Sequence, residues 1–106
     1  MLELTYKIKY KLTARETFLF KKVADKALGK KYDLSLVICG DKLTNKHNVL
    51  SYPLSKDIGE IFLNPKRAKP FTLTHLFIHA VAHLKGFDHS PAMDKFEQKL
   101  LRAGGR

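Results

Sequence analysis

Three histidines near the carboxyl-terminal end of the chain, His79, His83 and His89, have the spacing of a metal site. His79 and His83 are four residues apart, so on a helix both imidazoles project from one face, one turn from each other. Gly86 lets the chain leave that helix in a left-handed conformation and bring His89 back to the same point. The spacing therefore predicts that three imidazoles bind one metal ion.

Three imidazole ligands favour a catalytic zinc ion. Zinc takes four ligands, and a site with three protein ligands leaves the fourth position open to water, whereas structural sites are usually closed. Zinc lowers the pKa of its bound water to about 7, which supplies hydroxide at neutral pH. We expect one zinc ion per chain, although imidazole also suits nickel, copper and iron.

The residue that follows the first histidine distinguishes between kinds of zinc hydrolase. Metzincin proteases share this spacing, H-E-x-x-H-x-x-G-x-x-H, and use the glutamate as general base. This chain has Ala80 at that position. Because alanine cannot transfer a proton, the sequence argues against a protease with that mechanism, and another zinc hydrolase stays as an alternative.

The charge of the chain favours a polyanionic partner. Lysine and arginine total 20 against 10 acidic residues, a net charge of +10. Nucleic acid or an anionic membrane surface would fit that balance, and so would a soluble protein that simply carries many lysines. No apolar run approaches the length of a spanning helix and the first residues lack a signal-peptide core, so we expect no membrane partner. The single cysteine, Cys39, excludes an internal disulfide and fits a reducing cytoplasm, where we expect it to be an inert core thiol.

The elements that must position the histidines follow from hydrophobic periodicity. Period-two alternation over residues 2–12 predicts a strand, and the Thr13/Glu16 capping box begins a helix that Gly29 ends. Pro53 indicates an edge strand. Gly86 ends the histidine helix, and Ser90 can cap a last one. Further strands are predicted over 33–39 (central in the sheet), 49–53 and 60–63, a loop over 40–48, and the histidine helix over 72–85.

This order of elements predicts one α+β domain over residues 1–106. We expect a small, mostly mixed β-sheet of about four strands with helices packed on it, in the metalloprotease-like arrangement of zinc hydrolases. We favour a monomer.

At these residues the sequence resembles the YbeY family of bacterial endoribonucleases, the rRNA maturation factors. The family pattern H-G-x-L-H-L-x-G-Y-D-H is similar to residues 79–89, with Ala80 in place of glycine. The family pattern T-D-V-L-S-F-P is similar to residues 47–53, and a weaker match, G-D-I, falls on 59–61. The resemblance covers roughly residues 34–101.

The resemblance implies a zinc-dependent, single-strand-specific endoribonuclease that acts in 16S rRNA 3′-end maturation and in ribosome quality control. It implies an rRNA precursor and the small ribosomal subunit as partners, and metal ligation by His79, His83 and His89. Two further residues are candidates for the site from their position alone. Asp88 either orients a histidine or only shapes the turn before His89, and Ser51 either faces the site or has a role within its strand.

The chain departs from the family in its cations. Members carry L-N-x-x-Y-R before the strand that contains Ser51, whereas this shorter chain has no arginine between Val37 and Tyr52. Lys42 or Lys46 would supply the charge without the bidentate fork. A second hypothesis therefore stays open, an RNA- or ribosome-binding zinc protein with reduced or lost catalysis.

Two mechanisms of phosphodiester cleavage are compatible with the sequence. Zinc can activate a water, or the 2′-hydroxyl of the RNA can attack and leave a cyclic phosphate. In either case, nearby cations would stabilise charge on the phosphate oxygens or bind the RNA backbone. The candidates for that role are Lys46, Lys66, Arg67 and Lys85.

Overall fold

Four strands form one mixed sheet in the computed structural model, which describes residues 1–87 and 90–104. They are β1 (Leu2–Tyr6), β2 (Asp33–Ile38), β3 (Val49–Ser55) and β4 (Ile58–Leu63), in the order β1-β2-β4-β3. β2 is parallel to both β1 and β4, whereas β3 is antiparallel to β4. The predicted α+β class, the four-stranded mixed sheet, the central β2 and the edge position of β3 are confirmed.

The helices pack on this sheet around one histidine-bearing helix. They are α1 (Ala14–Leu28), α2 (Asp41–Thr44), α3 (Leu73–Leu84) and α4 (Pro91–Gly104), and a single 3-10 turn spans Pro65–Arg67. α1, α3 and α4 contact one another, and α3 also contacts β3 and β4. Within the described part of the chain, no helix combines the length and the apolar character needed to cross a bilayer.

Side-chain caps fix the helix ends where the sequence predicts them. The Thr13 hydroxyl accepts from the Glu16 amide at 3.0 Å, and the Glu16 carboxylate accepts from the Thr13 amide at 2.9 Å. Gly29 closes α1 with a positive φ of 90°. Ser90 accepts from the amide of Met93 at 3.2 Å, which caps α4. The capping predictions are therefore confirmed.

Two elements differ from the prediction. β1 ends at Tyr6 because its parallel neighbour β2 ends at the paired residue Ile38, after which only the Lys7 amide still donates to Ile38. Ile8 and Tyr10 continue the alternation but are 38% and 36% exposed, since no strand covers them. The range 40–48, predicted as a loop, contains the short helix α2.

The core lies between the sheet and α3, and it makes α3 the most buried helix of the fold. Phe77 of α3 stacks on Phe20 of α1, with ring centroids 4.4 Å apart and ring planes 9° from parallel. Both are fully buried, and the side chains of alternate strand residues pack around them in the core. Packing on several sides holds α3 rigidly, which fixes the positions of its two histidines. The buried residues of α3 are Leu73, Leu76, Phe77, Ile78, Ala80, Val81 and Ala82.

Gly59 of β4 lies where the chain leaves no room for a side chain. A β-carbon there would overlap the hydroxyl oxygen of Tyr32, which is buried, and would lie 3.2 Å from the Leu84 methyl carbons. We expect Gly59→Ala to lower the free energy of unfolding by about 1–3 kcal/mol, the usual cost of overpacking. Tyr32→Phe removes the blocking oxygen, so Gly59→Ala should cost less in that background.

Urea unfolding of the native protein, the two single variants and the double variant measures this coupling. An equal cost of Gly59→Ala in both backgrounds would contradict the steric account.

Candidate metal centre

His79 and His83 lie one turn apart on α3, and their imidazoles meet. The ring centroids are 4.6 Å apart with the planes 88° from parallel, and the two Nε2 atoms are 3.1 Å apart. Both residues are half-buried. The structure therefore brings together the two helical residues of the predicted ligand set.

The other nitrogen of each ring has a partner that fixes the ring. His79 Nδ1 lies 3.2 Å from a carboxylate oxygen of Glu97 on α4, and His83 Nδ1 lies 3.0 Å from the backbone oxygen of Phe87. A carbonyl and an ionised carboxylate only accept, so both Nδ1 atoms donate and carry the protons. In the neutral form of each ring, which is the form that binds metals, Nε2 is then the acceptor nitrogen.

The distance between the two Nε2 atoms fits a shared cation. Two acceptor nitrogens 3.1 Å apart repel each other unless a proton or a metal ion lies between them. Two imidazole nitrogens on a tetrahedral zinc ion, each bonded at its usual length, are about 3.3 Å apart. The pair is therefore compatible with two neighbouring positions of one zinc coordination shell.

The third predicted ligand, His89, and its neighbour Asp88 lie outside the described residues. Within residues 1–87 and 90–104, no three histidine, cysteine, aspartate or glutamate side chains converge as a metal site. The described part of the site is thus the histidine pair and the groups that orient it.

The histidine pair lines a cleft between α3 and the edge strand β3. The cleft has a volume of about 360 Å³. Ser51, a candidate from the sequence, is half-buried and belongs to its wall. Ala80, which is 1% exposed, also lines the cleft, so a methyl group occupies the position where a metzincin has its general base. The lining residues are Val49, Leu50, Ser51, Pro53, His79, Ala80 and His83.

Arg67, one of the predicted RNA-binding cations, is bound to a carboxylate of its own chain. Its Nε and Nη2 atoms donate to the two oxygens of Asp41 at 3.1 and 2.9 Å, and Lys66 Nζ lies 3.8 Å from the same carboxylate. Hydrogen bonds from Arg67 and Asn64 hold the pKa of Asp41 well below its ordinary value. Arg67 therefore links α2 to the 3-10 turn, and since its side chain is still 41% exposed, contact with RNA stays a prediction.

The other candidate cations are exposed and do not line the cleft. Lys42 lies on α2, Lys46 follows it with a φ of 67°, and Lys85 follows α3. Among the residues that the structure describes, those lining the cleft include no lysine or arginine. The structure therefore places no replacement for the family arginine within the described cleft wall.

Glu97 is the functional candidate that the sequence analysis missed. Its side chain is only 12% exposed and approaches the histidine pair from α4. On α4, Glu97 lies between Phe96, which packs against the core, and Leu100, which belongs to it. The position of this carboxylate beside the apolar residues of α4 could have indicated a functional role from the sequence, because a buried acid usually needs a partner.

Aromatic residues near the site have separate roles. Phe87 stacks on Phe96 with ring centroids 4.6 Å apart, so it packs against α4. His75, one turn before His79, stacks on Phe71 with centroids 5.1 Å apart and planes 8° from parallel.

Cys39, expected to be an inert core thiol, is fully buried. Burial raises the pKa of the Cys39 thiol.

Comparison with known proteins gives a fold for this chain. No family model matches it, and no curated protein matches it. Among solved structures, it is similar to the solution structure of TM1509 from Thermotoga maritima, with 19% sequence identity and a TM-score of 0.62. The match covers 97% of this chain and 88% of the other. A likeness at this level of identity shows that the two chains share a fold.

Proposed function

We propose that this protein is a zinc-dependent endoribonuclease that cleaves single-stranded RNA. In this proposal His79, His83 and His89 hold the metal in a zinc-hydrolase arrangement. The observation that carries it is the convergence of two imidazole Nε2 atoms, 3.1 Å apart, on the wall of an open cleft. RNA as the substrate is supported by the net charge of +10 and by the resemblance of residues 47–53 and 79–89 to the YbeY family.

The residues around the metal centre have distinct roles in this proposal. Glu97 and the Phe87 carbonyl hold the two rings so that both Nε2 atoms point to one place, which pre-organises the site. When bound, zinc would supply a Lewis acid that polarises a phosphate oxygen or a water. Ser51, in the cleft wall, can donate its hydroxyl to a phosphate oxygen. Ala80 leaves the site without the general base of a protease.

The biological setting follows from the same resemblance. We propose an rRNA precursor as the substrate, the small ribosomal subunit as the partner, and the cytoplasm as the location. A monomer is sufficient for this chemistry, because the proposed ligands come from one segment of the chain.

A second candidate function is an RNA- or ribosome-binding zinc protein with reduced or lost catalysis. It is favoured by the composition of the described cleft wall, which holds no lysine or arginine, and by the use of Arg67 to bind Asp41. Such a protein would bind zinc and RNA without cleaving the RNA.

Metal analysis and an RNA cleavage assay on the same preparation, purified without a histidine tag, distinguish these functions. We expect close to one zinc ion per chain, and cleavage of rRNA precursor that a chelator stops and added zinc restores. RNA binding without cleavage would favour the second candidate. Cleavage at the same rate with and without the chelator would overturn the proposal. Casein added as a control substrate tests the protease alternative.

A further inference from the structure

A second concavity lies on the other side of His79, between α3 and α4. Its volume is about 400 Å³, which accommodates a nucleobase. His79 lines both this concavity and the metal cleft, so the two sites adjoin. We call it the interhelical groove, and its lining residues are His75, His79, Asp94, Glu97, Gln98 and Leu101.

One end of the interhelical groove is built for stacking on a flat ring. His75 lines the groove, and Phe71 stacks on it with nearly parallel planes. Phe71 itself does not line the groove, so its contribution is to hold the His75 ring through this stacking. Leu101 adds an apolar wall from α4. Stacking on aromatic rings is a principal way in which proteins bind unpaired bases.

The polar side chains of the groove select one kind of base edge. Asp94 and Gln98 are four residues apart on α4, so they lie on one face, and both are exposed. Glu97 already accepts a hydrogen bond from His79, which leaves Asp94 as the carboxylate for a ligand. A carboxylate accepts two parallel N–H bonds, and Gln98 can donate from its amide.

Guanine is the base that matches this pair. Its N1–H and N2–H₂ groups are adjacent donors for the carboxylate of Asp94, and its O6 accepts from the amide of Gln98. Adenine, cytosine and uracil have an acceptor beside the donor on that edge, so each would set an acceptor against the carboxylate. The groove chemistry therefore favours guanine over the other bases.

Cations beside the groove can hold the phosphates of the same strand. An adjoining surface depression shares Asp94 and Gln98 with the groove and adds Lys95, Lys99 and Arg102. The spacing of these three cations puts them on one face of α4, where they can contact successive phosphates.

We infer that the interhelical groove binds a guanine base of single-stranded RNA, beside the phosphate that reaches the metal centre. The inference rests on the proposed function, because it assigns a sequence preference to the same reaction. His75 stacks on the base, Phe71 supports the His75 ring, Asp94 and Gln98 bind the edge of the base, and the cations of α4 hold the backbone.

Nucleotide binding tests the groove without any cleavage. We expect GMP to bind about tenfold more tightly than AMP, CMP or UMP, measured by NMR titration of the isotope-labelled protein. Asp94→Asn should weaken GMP binding about tenfold, because one good bidentate base contact has roughly that effect. Asp57→Asn makes the same change of charge in the exposed β3–β4 turn and should leave GMP binding unchanged. Equal binding of the four nucleotides, or GMP binding unchanged by Asp94→Asn, would overturn the inference.

Cleavage of matched RNAs separates this inference from the proposed function. Two fluorescent RNAs that differ in a single guanine near the cleaved bond should be cut at rates about tenfold apart, and Asp94→Asn should remove the difference. Cleavage of both at one rate would refute the guanine site while the nuclease stands. GMP binding that depends on Asp94, without cleavage of any RNA, would support the groove and refute the nuclease.

Discussion

Replacement of His83 by alanine should abolish tight zinc binding and lower RNA cleavage at least about 1000-fold. The Nε2 atom of His83 lies 3.1 Å from that of His79, so its removal takes one of the converging nitrogens from the proposed ligand set. Alanine is the best helix former, so α3 should persist around the half-buried position. Competition with a chromophoric chelator measures zinc affinity, and a fluorescent RNA measures the cleavage rate.

A second histidine variant supplies the control. His47 is exposed, lies before β3 and does not line the cleft, so His47→Ala should keep both zinc and activity. Circular dichroism shows whether each variant retains its helices. If His83→Ala lost zinc and still cleaved RNA at the native rate, catalysis would not depend on the metal, and the proposed mechanism would be wrong.

The histidine pair could be predicted because its geometry is local. Four residues along a helix set the approach of His79 and His83 whatever the rest of the fold does. The capping of α1 is local in the same sense, and a proline such as Pro53 excludes a central strand through its missing N–H alone. Each prediction rests on covalent geometry within a few residues, so each could be made before the fold was known.

Other features depend on contacts between distant segments, which periodicity does not encode. The length of β1 is set by where β2 ends, so the alternating residues beyond Tyr6 have no neighbouring strand to pair with. Arg67 lies 26 positions from Asp41, and only the packing of α2 near the 3-10 turn shows that its charge is already bound. Glu97 lies 18 positions from His79, and their contact exists because α4 crosses α3 at that point.

Glu97 gives the second large prediction, a loss of metal affinity from a residue that would not touch the metal. Its carboxylate accepts from His79 Nδ1 at 3.2 Å, which fixes the tautomer and makes the opposite nitrogen a stronger ligand. We expect Glu97→Ala to weaken zinc binding about 10- to 100-fold, the usual effect of removing such a partner. Glu97→Gln keeps an acceptor oxygen without the charge, so its affinity should fall between those of the native protein and Glu97→Ala.

The dependence of RNA cleavage on zinc concentration distinguishes this role from a merely structural one. A positioning residue shifts the zinc concentration needed for half-maximal activity, and excess zinc should restore most of the rate in Glu97→Ala. A packing defect would lower the rate at every zinc concentration instead. Glu3→Gln removes the same charge from an exposed position on β1 and should leave the zinc titration unchanged. If the titrations of Glu97→Ala and Glu3→Gln coincided, the contact with Glu97 would contribute nothing to metal binding, and the orientation of His79 would have to come from its packing on α3.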